Sequence, residues 1–142
     1  FSELPLGFRL DRQNAPSPQA LNRLLAKSRL DTHPPKKLDL ALKNSDFHLS
    51  IFQSISGNLA GFVRVTSDKG LNANLWDLVA EPGEQQDQLT AVLIYHALDI
   101  IKKEMPGCSI SVSASSKAIK ALKDQDFILD PNGIRVMEFR LR

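Results

Sequence analysis

The sequence predicts an α+β domain built on a mixed, mostly antiparallel sheet of about seven strands with about four helices. Three observations predict it. Segments with apolar side chains at every second residue alternate with segments that repeat at helical spacing. Ser56-Gly57-Asn58, a tight-turn signal, lies between two strand candidates. One long amphipathic helix follows directly on a strand that stops before Pro82. Strands and helices mixed in this order fit a layered α+β fold rather than an all-helical or all-strand one.

Each element has a local reason. Phe8 to Arg12 alternates Phe8 and Leu10 with charged residues, as a half-buried strand does. Ser17 before Pro18 is a cap followed by a residue whose missing N–H costs nothing at a helix start. Leu21, Leu24, Leu25 and Ser28 then share one helical face. Pro34-Pro35 opens a second short helix with Leu38, Ala41 and Leu42 inward. Phe47 to Gln53, Leu59 to Thr66 and Leu71 to Ala80 are the next strands, the last two separated by the turn Ser67-Asp68-Lys69-Gly70. The long helix runs from Gln86–Gln88 to about Glu104. Its apolar arc of Leu89, Leu93, His96, Ala97 and Ile100, widened by Ile94, Leu98 and Ile101, is broad enough to press on a sheet. Pro106-Gly107 stops it. Cys108 to Val112 is a short strand, and Ser115 or Ser116 caps a helix with Ala118, Ala121 and Leu122 inward. A final hairpin pairs Phe127–Leu129 with Ile134–Leu141 across Pro131-Asn132-Gly133.

Composition narrows the function. A chain of 142 residues fits one domain, 1–142, and can bury a core without a disulfide or metal staple. The single cysteine, Cys108, excludes an internal disulfide and fits the cytoplasm or another reducing compartment. A net charge of +2 offers no concentrated basic face for nucleic acid. No apolar run approaches the roughly 20 residues of a membrane span. The chain begins at Phe1 without Met, so no targeting segment can be judged from it.

The stretch Leu75-Trp76-Asp77-Leu78-Val79-Ala80-Glu81-Pro82, then Gln85 and the long helix, resembles the GNAT superfamily of N-acetyltransferases. There a strand ends in apolar-x-Pro and a Gln/Arg-x-x-Gly-x-Gly/Ala loop opens a helix. Gly61-Phe62-Val63-Arg64-Val65-Thr66-Ser67-Asp68 followed by Trp76-Asp77 further resembles small cyanobacterial and plastid members. Ser115 to Phe127 is similar to the family's later helix and the strand after it. The resemblance implies an acyl-CoA N-acyltransferase carrying acetyl from acetyl-CoA to a primary amine of a small molecule or protein. It implies a cofactor site of Leu78, Val79, Ala80, Gln85, Gln86, Asp87, Gln88, Leu89, Thr90 and Ser115. A helix N-terminus suits a pyrophosphate because its N–H groups are unpaired and carry partial positive charge. N–H groups at Val79 and Ala80 would polarise the thioester carbonyl.

The sequence departs from the family pattern at several places. Gln88 and Thr90 fill both glycine positions, and Asp87 puts a negative charge where the pyrophosphate is expected. Leu122 stands where many members have the Tyr that protonates the leaving thiolate, and Asp126 where they have the Gly of a Gly-Phe pair. The alternative reading is therefore a GNAT-fold pseudoenzyme, a binding or regulatory module with weak or no acetyl-CoA binding.

Asp77 is the candidate general base, with Glu81 read as a rim charge. Trp76 alternates with Asp77 and is expected on the opposite face, in packing. His33, His48 and His96 are scattered, and with one Cys they make no zinc set. Arg64 and Arg135 are read as surface positions, and Lys117, Lys120 and Lys123 as a solvated helix face. A homodimer is left open through a terminal strand ending Phe139-Arg140-Leu141-Arg142.

Overall fold

The computed structural model describes residues 3–141. The element order is β1 (Phe8–Asp11), α1 (Pro18–Lys27), α2 (Pro35–Asn44), β2 (Phe47–Gln53), β3 (Leu59–Ser67), β4 (Asn72–Ala80), α3 (Gln86–Glu104), β5 (Ser109–Val112) and α4 (Ile119–Asp124), then a single 3-10 turn (Pro131–Gly133). Five strands lie in sequence order, antiparallel from β1 to β4 and parallel between β4 and β5. The helices cover both faces. On one face α3 and α4 bury Leu89, Leu93, Ile94, Ala97, Ile101 and Leu122 against Leu49, Ile51, Val63, Val65 and Leu75. On the other, α1 and α2 bury Leu21, Leu24, Leu25, Leu38 and Leu42 against Phe62 and Val79.

Local chemistry accounts for these elements. Ser17 caps α1 by accepting the Ala20 N–H at 3.1 Å. On β3, Val63 and Val65 face α3 while Phe62 and Arg64 face the other layer, the alternation that a pleated strand imposes. Gly61 has a packing reason. A Cβ there would sit 3.2 Å from Leu93 Cδ1 and 3.3 Å from Ile51 Cδ1, so its absence lets α3 approach the sheet.

Three expectations are corrected. The sheet has five strands among the described residues, and the C-terminal hairpin does not form. Asp126, Asp130 and Asn132 all take positive φ (71°, 47° and 55°), which breaks extension on both sides of Pro131. Ile134 to Leu141 then runs on without a ladder partner, with Val136, Met137, Phe139 and Leu141 exposed. Likewise α4 starts at Ile119 after an Ala118 N-cap, rather than at Ser115 or Ser116, and spans only six residues. Asp126 stands where the family pair has Gly, and its φ of 71° keeps the left-handed conformation that glycine adopts readily.

Candidate functional site

The site begins with a break in sheet pairing. β4 and β5 pair only from Asn72↔Ser109 to Leu75↔Val112. Past Leu75, β4 continues to Ala80 while the chain leaves β5, so the C-terminal half of β4 has no strand on that side. The resulting cleft is lined by Leu78, Val79 and Ala80 from β4, Gln86 and Thr90 from α3, Ser115, Lys117 and Ala118 before α4, and Ser28 and Leu30 after α1. The first turn of α3 stands at its end, where the N–H groups of Asp87 and Gln88 have no carbonyl one turn earlier.

Three side chains cross this cleft. Ser28 Oγ donates to the Ala80 carbonyl at 3.0 Å, and Gln86 Nε2 donates to the same oxygen at 3.0 Å. Lys117 Nζ donates to the Ser28 carbonyl at 2.8 Å. The space left enclosed is about 10 Å³, room for on the order of one water. A wider depression lies behind it between Glu3, Asp87, Gln88, Lys120 and Asp124. Its three carboxylates against one ammonium make it poorly suited to an anion.

The two residues at the glycine positions send their side chains to different places. Thr90 is buried and its Oγ1 turns back to donate to the Gln86 carbonyl at 2.7 Å. Gln88 points the other way, its Nε2 donating to the Glu3 carbonyl at 3.3 Å. Leu89 is fully buried in the core, and Gln85, the N-cap of α3, makes no side-chain cap bond. Asp87 is exposed on the wall of the acidic depression.

Asp77 directly precedes Leu78, the first β4 residue to line the cleft. Between the pairs Phe62↔Val79 and Arg64↔Trp76, β3 contributes one residue and β4 two. This is a bulge, and Asp77 occupies it with φ 55°. The extra residue shifts the alternation of β4. Ala73 and Leu75 face α3 before it, and Leu78 and Ala80 after it. Asp77 is thereby turned to the same face as Trp76, which corrects the expectation that the two point apart. Arg64 meets both. Its Nε donates to Asp77 Oδ2 at 2.7 Å, and its guanidinium lies 5.8 Å from the Trp76 ring centroid. Arg64 is 18% exposed and Asp77 13%, so Arg64 belongs to the site rather than the ordinary surface. Trp76 is partly exposed and ties its Nε1–H to Thr66 Oγ1 at 2.8 Å.

The second oxygen of Asp77 lies 3.1 Å from His33 Nε2. His33 stands in the loop between α1 and α2, and Asn22 of α1 clamps its backbone. Asn22 Nδ2 donates to the His33 carbonyl at 2.8 Å, and the His33 N–H donates to Asn22 Oδ1 at 2.9 Å. The sequence reading missed His33, Ser28 and the crossing role of Lys117. Their partners lie 44, 52 and 89 residues away in the chain, and no local spacing signals them.

The other candidates fall elsewhere. Glu81 accepts from Gln53 Nε2 at 3.0 and 3.2 Å. Arg135 is exposed and pairs with Asp130 at 3.6 Å, and Lys120 pairs with Asp124 at 3.5 Å. Leu122 is buried in the core between α4 and the sheet. Among the described residues no group of three or more His, Cys, Asp or Glu could hold a metal ion. No helix among them is long and apolar enough to cross a membrane.

The chain superposes on solved structures along almost its whole length. A probable acetyltransferase of unknown function from methicillin-resistant Staphylococcus aureus superposes with a TM-score of 0.84 at 16% identity, covering 94% of this chain and 99% of that one. A GNAT-family acetyltransferase from Streptococcus pneumoniae follows at a TM-score of 0.71 and 12% identity, covering 95% and 98%. The fold is that of the GNAT superfamily. In sequence the chain resembles the superfamily's plastid members. An uncharacterized N-acetyltransferase ycf52 of Pyropia yezoensis is 36% identical over 106 residues, which cover 73% of this chain and 60% of that protein. The chain thus spans about 60% of the length of that relative. No family profile matches it.

The GNAT frame makes the cofactor question concrete. A coenzyme A thioester would lay its arm along the split strand, where the space left holds on the order of one water, and its pyrophosphate at the α3 turn beside Asp87. Thr90 lines the cleft and bonds back onto that turn at the Gln86 carbonyl, while Gln88 turns toward Glu3. The bonds that Ser28 and Gln86 make to the Ala80 carbonyl are the ones the arm must exchange.

Proposed function

We propose that the chain is an acyl-CoA-dependent N-acyltransferase that moves acetyl from acetyl-CoA to a primary amine. The observation that carries this reading is the split between β4 and β5, which opens beside the first turn of α3 and ends at the Asp77 bulge. Leu78, Val79 and Ala80 would line the arm, with the Val79 and Ala80 backbone polarising the carbonyl oxygen. Of the N–H groups from Gln86 to Thr90, those of Asp87 and Gln88 are unpaired and would take the pyrophosphate, and Ser115 would border it. The thioester supplies the acyl carbon, and the chain's own groups orient it, exclude water and accept the amine proton at the Asp77 cluster. With Leu122 buried in the core, the departing thiolate takes its proton from solvent.

The acceptor would approach from the α1–α2 loop, and both small-molecule and protein amines remain within this reading. Location in the cytoplasm or in a plastid is part of it too. The plastid option rests on a relative named GCN5-related N-acetyltransferase 1, chloroplastic, of Arabidopsis thaliana, 25% identical over 120 residues. A homodimer is proposed from the exposed apolar run Val136–Leu141 and the free edge of β5; light scattering showing only monomer would remove it.

The test of transfer is thiol release from acetyl-CoA in the presence of spermidine, tyramine or a lysine-rich peptide. Release that depends on amine is expected, and none with any of them would count against transfer. A second reading, a pseudoenzyme, is favoured by one observation. Ser28 and Gln86 both already donate to the Ala80 carbonyl, and Lys117 donates to the Ser28 carbonyl, across the cleft. It predicts acetyl-CoA binding too weak to saturate.

A further inference from the structure

We propose that His33 is the residue that takes the proton from the acceptor amine, and that Asp77 and Arg64 are its positioning residues. The inference rests on the acyl-transfer reading above. Both oxygens of Asp77 are already engaged, one by Arg64 Nε at 2.7 Å and one by His33 Nε2 at 3.1 Å, and the side chain is only 13% exposed. An incoming amine meets little of that carboxylate. His33 is 40% exposed, its ring meets Asp77, and the residues next to this pair in the chain, Leu30 three before His33 and Leu78 one after Asp77, line the cleft.

The ring's chemistry follows from its partner. With Asp77 Oδ1 accepting from Nε2–H, the lone pair of a neutral imidazole stands on Nδ1. Asp77 then also stabilises the imidazolium that forms when Nδ1 takes a proton. Arg64 holds the carboxylate, and the bulge turns it to this face. The ring is not needed to pin the loop, because Asn22 already holds the His33 backbone at both its N–H and its carbonyl.

The step balances. The amine lone pair forms the N–C bond to the thioester carbonyl carbon. The C–S electron pair leaves on sulfur as thiolate. The surplus amine proton passes to His33 Nδ1 and then, through solvent, to the thiolate. Amide, thiol and a neutral ring result.

The experiment compares wild type, His33→Gln and His33→Gly for thiol release from acetyl-CoA, with spermidine, tyramine and a lysine-rich peptide as amine probes. General-base catalysis contributes about 10²–10⁴-fold, so a fall of about 10²-fold or more in kcat is expected, with the KM for acetyl-CoA unchanged. Added imidazole should restore part of the His33→Gly rate, which a purely structural ring would not allow. Thermal unfolding of both variants close to wild type shows that the loss is not misfolding. NMR of the His33 ring should show the Nε2–H tautomer in wild type and a shifted tautomer ratio in Asp77→Asn. An active wild type with His33→Gln within about threefold, or without imidazole rescue, overturns the His33 role and leaves acyl transfer standing. A wild type that releases no thiol with any amine overturns both. A ring already in the Nδ1–H form overturns the proposed tautomer and with it the role of Nδ1.

Discussion

Asp77→Asn separates charge from shape in the strand bulge. Asparagine has nearly the same volume and, like aspartate, tolerates left-handed φ, so the backbone at φ 55° is preserved. The change removes the one carboxylate that Arg64 meets at 2.7 Å. Breaking a fully buried ion pair costs about 3–5 kcal/mol, and an exposed one is worth about 0–1 kcal/mol. With side chains 13% and 18% exposed, this pair falls between. One charge-assisted hydrogen bond, at about 1.5–3 kcal/mol, gives the same range. The expected destabilisation is about 2 kcal/mol. For a domain of this size that lowers Tm by roughly 4–8 °C. Urea unfolding of Asp77→Asn, Arg64→Gln and the double variant measures it as a cycle, and the coupling should be at least about 1 kcal/mol. If Asp77→Asn unfolds within about 0.5 kcal/mol of wild type, or if the two changes simply add, the pair does not hold this corner of the site and the reasoning is refuted.

Other outcomes are specific as well. Gln88→Gly with Thr90→Gly should change the Kd for acetyl-CoA by less than about threefold, while losing roughly 1 kcal/mol of stability per glycine; tenfold tightening in calorimetry would show that these side chains do block the helix start. Gln86→Ala frees the Ala80 carbonyl from one of its two donors. It should tighten acetyl-CoA binding severalfold, and weaker binding would mean Gln86 contacts the ligand. His48 supplies a pH prediction. Burial pushes its imidazole below the ordinary 6.5, with Asp11 opposing and Arg12 adding to the shift, and its Nδ1 is buried without a partner. The unfolded chain therefore binds this proton at higher pH than the folded one. The contribution of His48 is whole above pH 6.5 and is lost as pH falls from there through the folded value. His48→Phe, stacked on Phe62 as His48 is, should flatten stability between pH 6.5 and 5, and an unchanged slope would contradict this.

The layers were legible in the sequence because their signals are local. Ser17-Pro18 marks a cap, the alternation in β3 sorts Val63 and Val65 from Phe62, and Pro106-Gly107 ends α3. The strand-to-helix corner at Ala80–Gln86 was legible through its resemblance to a known family. The bulge was not. An extra residue in one strand of a pair can be seen only against its partner, so alternation sets Trp76 and Asp77 on opposite faces where the bulge puts them on one, beside Arg64. His33 carries no local signal, because its partner comes from β4 across the layer, 44 residues away. The terminal hairpin was read from alternation and a Pro-Asn-Gly turn. Those signals describe two strands that could pair, and three positive-φ residues around the turn break the extension of the arms instead.

The central claim is that the split beside β4 receives a coenzyme A thioester, and calorimetric titration of acetyl-CoA into the full chain tests it most directly. The account predicts saturable binding at one site per chain, tightened by Gln86→Ala. A titration that shows no saturable heat at millimolar acetyl-CoA, for both wild type and Gln86→Ala, would contradict it.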